Sequence, residues 1–506
     1  MNRMTLWFTS DTHGYLFDTD FATREPKDIG LLGFRFPKDE NTLIIDGGDT
    51  IQGSPLTRYC LQSGEKLPIA EAMNALGYDY VTLGNHDFNN GPEYLEDYLQ
   101  ALNARCLCAN ASDAEGTLPV MPWTVHTLGN GLRVGLVGIV TDWVNRWEKP
   151  ENLERLSVSD PMTAAIEAVE ALEREGCDIL VGIYHGGVER DLDTGRLLSV
   201  TDENIACRLC EALPFDLLLT GHQHIAMAEK AWHGTHIVQT PCNASLAVKV
   251  TLDDAGVFHS ELVPPHRGAP MTGAQAALRE RMEVWLDGPI GDLSRPIWPE
   301  DKLKMAMNGS PIVDLFNTVQ LWASGADVSC AALPNSLRGF DSSVTVRDIV
   351  SSYVYSNTLV VLEVTGAVLR EALEQCATYF DIDDAGNVIV ARAFLEPKEA
   401  HYDYDYFYGI DYAFDLSRPK GSRVVRIARN GRPVKEDEKL SLVMCDYRAT
   451  GAGNFDMYPP CPRLREIQSE VSDLIVEYFM QKRHIEIPDP RPIAHFNARN
   501  RDHKAT

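Results

Sequence analysis

Five short apolar runs in the N-terminal half of the chain read as buried strands, and each ends on a polar cluster. Residues 5–9 lead into Asp11-Thr12-His13, and 42–45 into Gly48-Asp49. Residues 80–83 lead into Gly84-Asn85-His86-Asp87, 179–184 into His185, and 217–220 into Gly221-His222-Gln223-His224. Runs that are apolar without alternation predict strands covered on both faces, as in a parallel sheet flanked by helices. Helical periodicity between them predicts helices over Pro161–Glu175 and residues 202–213, with 236–240 and 246–252 as closing strands. In an open α/β sheet the ligand site lies beyond the carboxyl ends of the strands, so five such ends are expected to serve one crevice.

A breaker-rich stretch, Val263-Pro264-Pro265-His266-Arg267-Gly268-Ala269-Pro270, marks a boundary. The expected organisation is a first domain over 1–265, a linker with a bridging helix over 266–299, a second domain over 300–487 and a polar tail over 488–506. In the second domain Asn308-Gly309-Ser310-Pro311 precedes a helix through Trp322. Residues 325–333 read as a strand ending at Pro334-Asn335, and Val364-Thr365-Gly366 opens an amphipathic helix to Tyr379. Tyr402, Tyr404, Tyr406 and Tyr408 alternate as one face of a strand, where such rings usually pack in a core.

The strand-end clusters carry the chemistry. Asp11, His13, Asp49, Asn85, His185, His222 and His224 are too many ligands for one ion but suit two ions that share a carboxylate. Five of the chain's 14 His, at positions 13, 86, 185, 222 and 224, lie in these motifs. Mixed imidazole and carboxylate ligation without thiolate fits manganese, iron, cobalt, nickel or zinc and disfavours an all-oxygen calcium cage. Two ions roughly 3.5–4 Å apart clamp the attacking and leaving oxygens of a phosphoryl transfer. Metal-assisted phosphoester hydrolysis is the expected reaction. A lone histidine at a strand end is often merely hydrogen-bonded, and it is the joint pattern that argues for a metal centre.

Composition narrows the partners. At 506 residues the chain exceeds one ordinary core, and 44% hydrophobic with 24% charged residues is a globular composition. The net charge of −27, with no Lys/Arg stripe, speaks against a nucleic-acid surface but not against small anions, because divalent ions invert the local field. No run reaches the ~20 apolar residues of a membrane helix. Met1-Asn2-Arg3-Met4 runs straight into the first strand, so no signal peptide is expected and the location is expected to be cytoplasmic, unless the chain is trimmed. Eleven scattered cysteines agree with a reducing compartment. Cys207-Arg208-Leu209-Cys210 has zinc-finger spacing without a second pair, and reads as helix packing.

The motifs DTH, GD, GNHDF, YHGG and GHQH, in that order, resemble those of the calcineurin-like metallophosphoesterases as arranged in the 5'-nucleotidase family, and the likeness covers nearly the whole chain. The resemblance implies an α/β (α+β) protein: a four-layer metallophosphoesterase-type sandwich followed by a 5'-nucleotidase-type C-terminal α/β domain. It assigns Asp11, His13, Asp49 and His224 to one metal and Asp49, Asn85, His185 and His222 to the other. His86 would face the phosphate and stabilise or protonate the departing group. Where 5'-nucleotidases usually place Asp three residues after that histidine, this chain has Asn89. That asparagine, with Tyr355-Ser356-Asn357-Thr358-Leu359, is typical of the bacterial 2',3'-cyclic-nucleotide 2'-phosphodiesterase/3'-nucleotidases.

Family members hold the base between two aromatic rings. Ungapped matching assigns them to Tyr404, with Tyr402 as its neighbour if the register slips, and to Tyr447 in a loop of small residues. Asn335, Arg338 and Asn357 are further candidates for phosphate or ribose contacts. The family's Gly-Gly-Asp is Gly451-Ala452-Gly453 here, which removes an acidic partner for a ribose hydroxyl. The expected function is a dimetal nucleotide phosphohydrolase favouring 2',3'-cyclic nucleotides and 3'-nucleotides. The alternatives are a 5'-nucleotidase, a nucleotide-sugar hydrolase, a thiosulfohydrolase or an inactive binding module. A nuclease subunit is opposed by the charge.

Overall fold

A computed structural model describes residues 3–65, 67–198, 202–355, 357–396, 399–490 and 492–495. The chain divides into two compact units, Met1–Glu283 and Val284–Thr506. The division falls inside the helix Gly273–Leu286 expected to bridge the domains, some residues beyond the breaker stretch.

The strands that carry the polar clusters do not share one sheet. Met4–Thr9, Thr42–Asp46 and Tyr80–Val81 lie side by side and parallel in a seven-stranded sheet, closed on one edge by Ala247–Leu252 and Phe258–Val263. Ile179–His185 and Leu217–Thr220 are parallel neighbours in a six-stranded sheet with Arg133–Val140 and Thr235–Gln239. The two sheets face each other across one apolar core. Leu6, Phe8, Leu43 and Ile45 from the first sheet meet Val134, Leu136, Val181, Ile183, Leu217 and Leu219 from the second. The outer face of the second sheet is covered by the helices Pro161–Glu175 and Ala206–Ala212, through Ala165, Val169, Leu172, Cys207 and Leu209. Strands buried on both faces explain the continuous apolar runs. Cys207 and Cys210 are buried in their helix, as packing residues.

The helix Pro161–Glu175 shows how local sequence sets an element. Asp160 accepts a hydrogen bond from the Thr163 amide, Pro161 occupies the first turn, and Gly176 ends the helix in the left-handed conformation at φ 77°.

The C-terminal unit is built on a five-stranded sheet ordered Asp405–Tyr408, Val328–Ala332, Lys439–Cys445, Leu359–Thr365, Arg463–Ile467, against which the helix Pro311–Ser324 packs. The expected polar tail is partly structural, since Ala494–His495 pairs in parallel with Phe414 and Asp415, while 491 and 496–506 lie outside the described residues. Among the described residues no helix is long and apolar enough to cross a membrane.

Candidate active site

The five strand ends converge within the N-terminal unit, three from one sheet and two from the other. Asp11 receives the His222 amide at 3.0 Å and stands 3.4 Å from Nε2 of His224, so the first and last motifs, 211 residues apart, are tied directly. His13 and His224 bring their Nε2 atoms within 3.1 Å. Asp49 lies 3.2 Å from Nε2 of His185, whose Nδ1 meets the Gly47 carbonyl at 2.7 Å. These atoms form two groups able to hold an ion each: Asp11, His13 and His224, then Asp49, His185 and His222. That is the division implied by the family resemblance, with Asp49 falling in only the second group.

The donor chemistry fits metal ions. Oδ2 of Asp49 and Nε2 of His185, 3.2 Å apart, are buried with no partner but each other, and both side-chain polar atoms of Asn85 are buried without a hydrogen-bond partner. Orphaned polar atoms at such depth cost ~1–3 kcal/mol, and a cation is a fitting partner for the Asp49 and Asn85 oxygens and the His185 nitrogen, though not for the Asn85 amide nitrogen, which only donates. The charges agree. Burial pushes the Asp49 carboxyl up, but the imidazoles of His185 and His86 outweigh it and hold it well below the usual range. Asp11 is likewise opposed by burial yet drawn down to about 2 by its hydrogen bond to His224 and the charge of His185. His13 is pushed down to about 4 by burial and by His224, which leaves a neutral nitrogen suited to ligation. Asp49 and Asp11, by contrast, overcome burial to hold the His185 and His224 imidazoles above their usual range, so those two must give up a proton to ligate.

Five of the seven ligand candidates have left-handed backbone: Asp11 at φ 54°, His13 at 48°, Asp49 at 56°, His222 at 70° and His224 at 57°. Side chains beyond Cβ disfavour this region, and its use at a cluster of this kind is strain held by the surroundings. Those surroundings include Asp87, whose carboxylate accepts from the amides of Asp49, Thr50, Ile51 and Gly84 at 2.8–3.2 Å and so ties two strand-end loops together. Gly48 sits at φ 90°, and a Cβ there would collide with the Gly84 amide.

His86 lies beside the ligands, its ring centroid 5.4 Å from that of His13. Its Nδ1 meets Oδ1 of Asn89 at 2.8 Å, and Nδ2 of Asn89 donates to Glu148 at 2.5 Å. Sequence reasoning missed Glu148, and it missed two supports of His222. Nε2 of His222 meets Glu203 at 2.9 Å, and Trp147 stacks on the imidazole at 5.3 Å and 25°. No motif marks these residues, which reach the site from the short helix Val144–Trp147, its C-terminal end and a separate loop.

In the C-terminal unit a cavity of about 170 Å³ is lined by Tyr355, Asn357, Tyr402, Tyr447 and Arg448 among others. Tyr447 is 49% exposed there, while Asn357 donates to Asp446 at 2.9 Å. Tyr404 is not in this cavity. It is 1% exposed, its hydroxyl donates to the Ala306 carbonyl at 3.0 Å, and Tyr379 and Tyr406 crowd its ring. Tyr404 is therefore not placed to stack a base, and of the two tyrosines considered only Tyr402 lines the cavity. Tyr404 and Tyr406 pack in the core as their alternation implies, whereas Tyr402 precedes the strand, in the turn His401–Asp403, which ungapped matching does not register. Asn335 and Arg338 do not line the cavity either. The Asn335 side chain donates to the Glu399 carbonyl and accepts from the His401 amide, so it anchors a loop. Arg338 is exposed on the segment that follows.

Comparison with known proteins matches residues 4–226 to the calcineurin-like phosphoesterase family and 290–459 to the 5'-nucleotidase C-terminal domain. A crystal structure of a putative 5'-nucleotidase from Staphylococcus aureus is 33% identical, with a TM-score of 0.70 over 98% of this chain and 100% of that one. A 2',3'-cyclic-nucleotide 2'-phosphodiesterase/3'-nucleotidase from Yersinia enterocolitica is 24% identical over 87% of this chain and 79% of that protein. A trifunctional nucleotide phosphoesterase from Bacillus subtilis is 23% identical over 90% of this chain, which spans only 36% of that longer protein.

Proposed function

The chain belongs to the calcineurin-like phosphoesterases that carry a 5'-nucleotidase C-terminal domain, and from that premise we propose that it hydrolyses nucleotide phosphoesters, with 2',3'-cyclic nucleotides and 3'-nucleotides as preferred substrates. The observation that carries the nucleotide reading is the cavity with Tyr355, Tyr402 and Tyr447 at its walls. A base stacked on such rings gains about 1–3 kcal/mol whatever its identity. Preference for the cyclic and 3' positions is supported by Asn89 beside His86 and by the likeness to the Yersinia enzyme.

Asp11, His13, Asp49 and His224 would hold one divalent ion and Asp49, Asn85, His185 and His222 the other. Bound there, the pair supplies Lewis-acid charge to the phosphoryl oxygens. The protein's own residues do the rest. Asp87 and the paired glycines hold the two loops in register, so that the ligands do not reorganise as charge develops. His86 presents an imidazole to the phosphoryl group, its Nδ1 side fixed by Asn89. Tyr402 and Tyr447 bind the nucleoside, and Asn357, which lines the same cavity, would meet a polar edge of it.

The test is phosphate release from a panel of 2',3'-cyclic, 3'- and 5'-nucleotides by the metal-loaded protein. Faster turnover of the cyclic and 3' members is expected. A clear preference for 5'-nucleotides would instead establish the second reading, 5'-nucleotidase, which the 33% identity to the Staphylococcus protein favours.

A further inference from the structure

Asn89 offers His86 an amide, and an amide has two ends. One end accepts a hydrogen bond and the other donates, so the direction in which Asn89 points decides which imidazole form it supports. Nothing in Asn89 itself sets that direction. Glu148 sets it from outside. Its carboxylate only accepts, and it already receives the Asn152 side-chain amide at 2.8 Å and the Lys149 backbone amide at 2.7 Å. Asn152 also donates to the Asn89 carbonyl at 2.8 Å, so the two partners are braced against each other. With Nδ2 of Asn89 committed to Glu148 at 2.5 Å, Oδ1 must face His86, and Nδ1 of His86 must carry the hydrogen that bridges the 2.8 Å gap.

We propose that Glu148 is a positioning residue for His86, acting through the Asn89 amide to hold the imidazole with its hydrogen on Nδ1 and Nε2 turned toward the reacting group. The role rests on the reading of His86 as the phosphoryl-facing residue. It places the carboxylate one amide further from the imidazole than a direct Asp would be, and it comes from a loop 59 residues away. Glu148 directly follows the short helix Val144–Trp147, whose Trp147 stacks on His222, so a single segment steadies both a ligand and the acid-base group.

The test compares wild type, Glu148→Ala, Glu148→Gln and the double variant Glu148→Ala/Asn89→Asp. All are full-length, loaded with Zn²⁺ and labelled with ring-¹⁵N histidine. The imidazole signal lost in His86→Gln is expected in the Nδ1–H form in wild type. It should give way to mixed tautomers in Glu148→Ala and return in the double variant, where the new carboxylate accepts from Nδ1 directly. Nucleotide kcat should fall about 10- to 100-fold in Glu148→Ala, less in Glu148→Gln, and recover in the double variant with two zinc ions retained throughout. p-Nitrophenyl phosphate, whose leaving group needs less help, should lose markedly less. An unchanged Nδ1–H signal in Glu148→Ala overturns the proposal. So does a parallel loss on both substrates accompanied by zinc loss, which would make Glu148 a loop anchor. The nitrogen spectra read positioning even if wild type releases no phosphate from any nucleotide, an outcome that would sink the functional reading alone.

Discussion

At the scale of single residues, Asp49 and Asp46 carry different burdens three positions apart. Asp49 is the ligand expected to serve both ions, and its Oδ2 stands 3.2 Å from Nε2 of His185. Asp49→Asn should therefore lower occupancy at both sites, whereas Asn85→Asp keeps an oxygen ligand and should cost less. Metal content after dialysis decides it, and full occupancy in Asp49→Asn would remove the bridging role. Asp46 is no ligand candidate. Burial, helped by the charge of Asp87, pushes its carboxyl up to about 7 against hydrogen bonds from Thr50, Thr9 and Gly48. A carboxyl raised in the folded state favours folding below its ordinary range near 3.8, and that contribution disappears as pH climbs through about 7. Metal-stripped wild type should lose stability relative to Asp46→Asn between pH 4 and 7, by on the order of 4 kcal/mol. Urea unfolding at the two pH values measures it, and parallel curves for the two proteins would deny Asp46 its proton.

At the scale of elements, two strand-end loops meet without room for a side chain. A Cβ on Gly84 would strike Asp49 at its amide and carboxylate. Gly84→Ala is expected to displace Asp49 and weaken metal binding by about 10- to 100-fold while leaving the sheet intact. Zinc titration with circular dichroism checks both halves of that statement. The strands and their polar ends could be read because each apolar run stops where its first ligand begins, as Thr9 gives way to Asp11. The partition of five strands between two sheets could not, because a strand covered on both faces looks the same in either. Glu148, Glu203 and Trp147 were illegible for another reason. Contacts such as Asn89 to Glu148 are set by loop geometry, and no periodicity marks them. Tyr402 stood as the alternative to Tyr404, and ungapped matching could not choose between them because a turn, His401–Asp403, precedes the extended segment.

At the scale of the whole molecule, ligands and aromatic cavity lie in separate units, Met1–Glu283 and Val284–Thr506. Chemistry and nucleoside binding should therefore fail independently. Replacing Tyr402 or Tyr447 by Ala should lower kcat/KM for nucleotides roughly 5- to 150-fold, the equivalent of about 1–3 kcal/mol of stacking. p-Nitrophenyl phosphate and bound metal should be spared. Parallel loss on both substrates would return these rings to a structural role, and loss on neither would place the nucleoside elsewhere.

The left-handed backbone at Asp11, His13, Asp49, His222 and His224 has a consequence for how such a gene ages. Strain of this kind costs about 1 kcal/mol or more per residue and is tolerated only while activity is under selection. In a duplicated copy released from that demand, glycine at any of the five positions would relax the chain, so the metal motifs should erode before the strands that present them. A pseudoenzyme descended from this protein would keep its fold and its aromatic cavity while showing glycine where the histidines stood. The laboratory counterpart is a higher melting temperature for metal-stripped His224→Gly than for metal-stripped wild type, and an equal or lower one would mean that the backbone there is at rest.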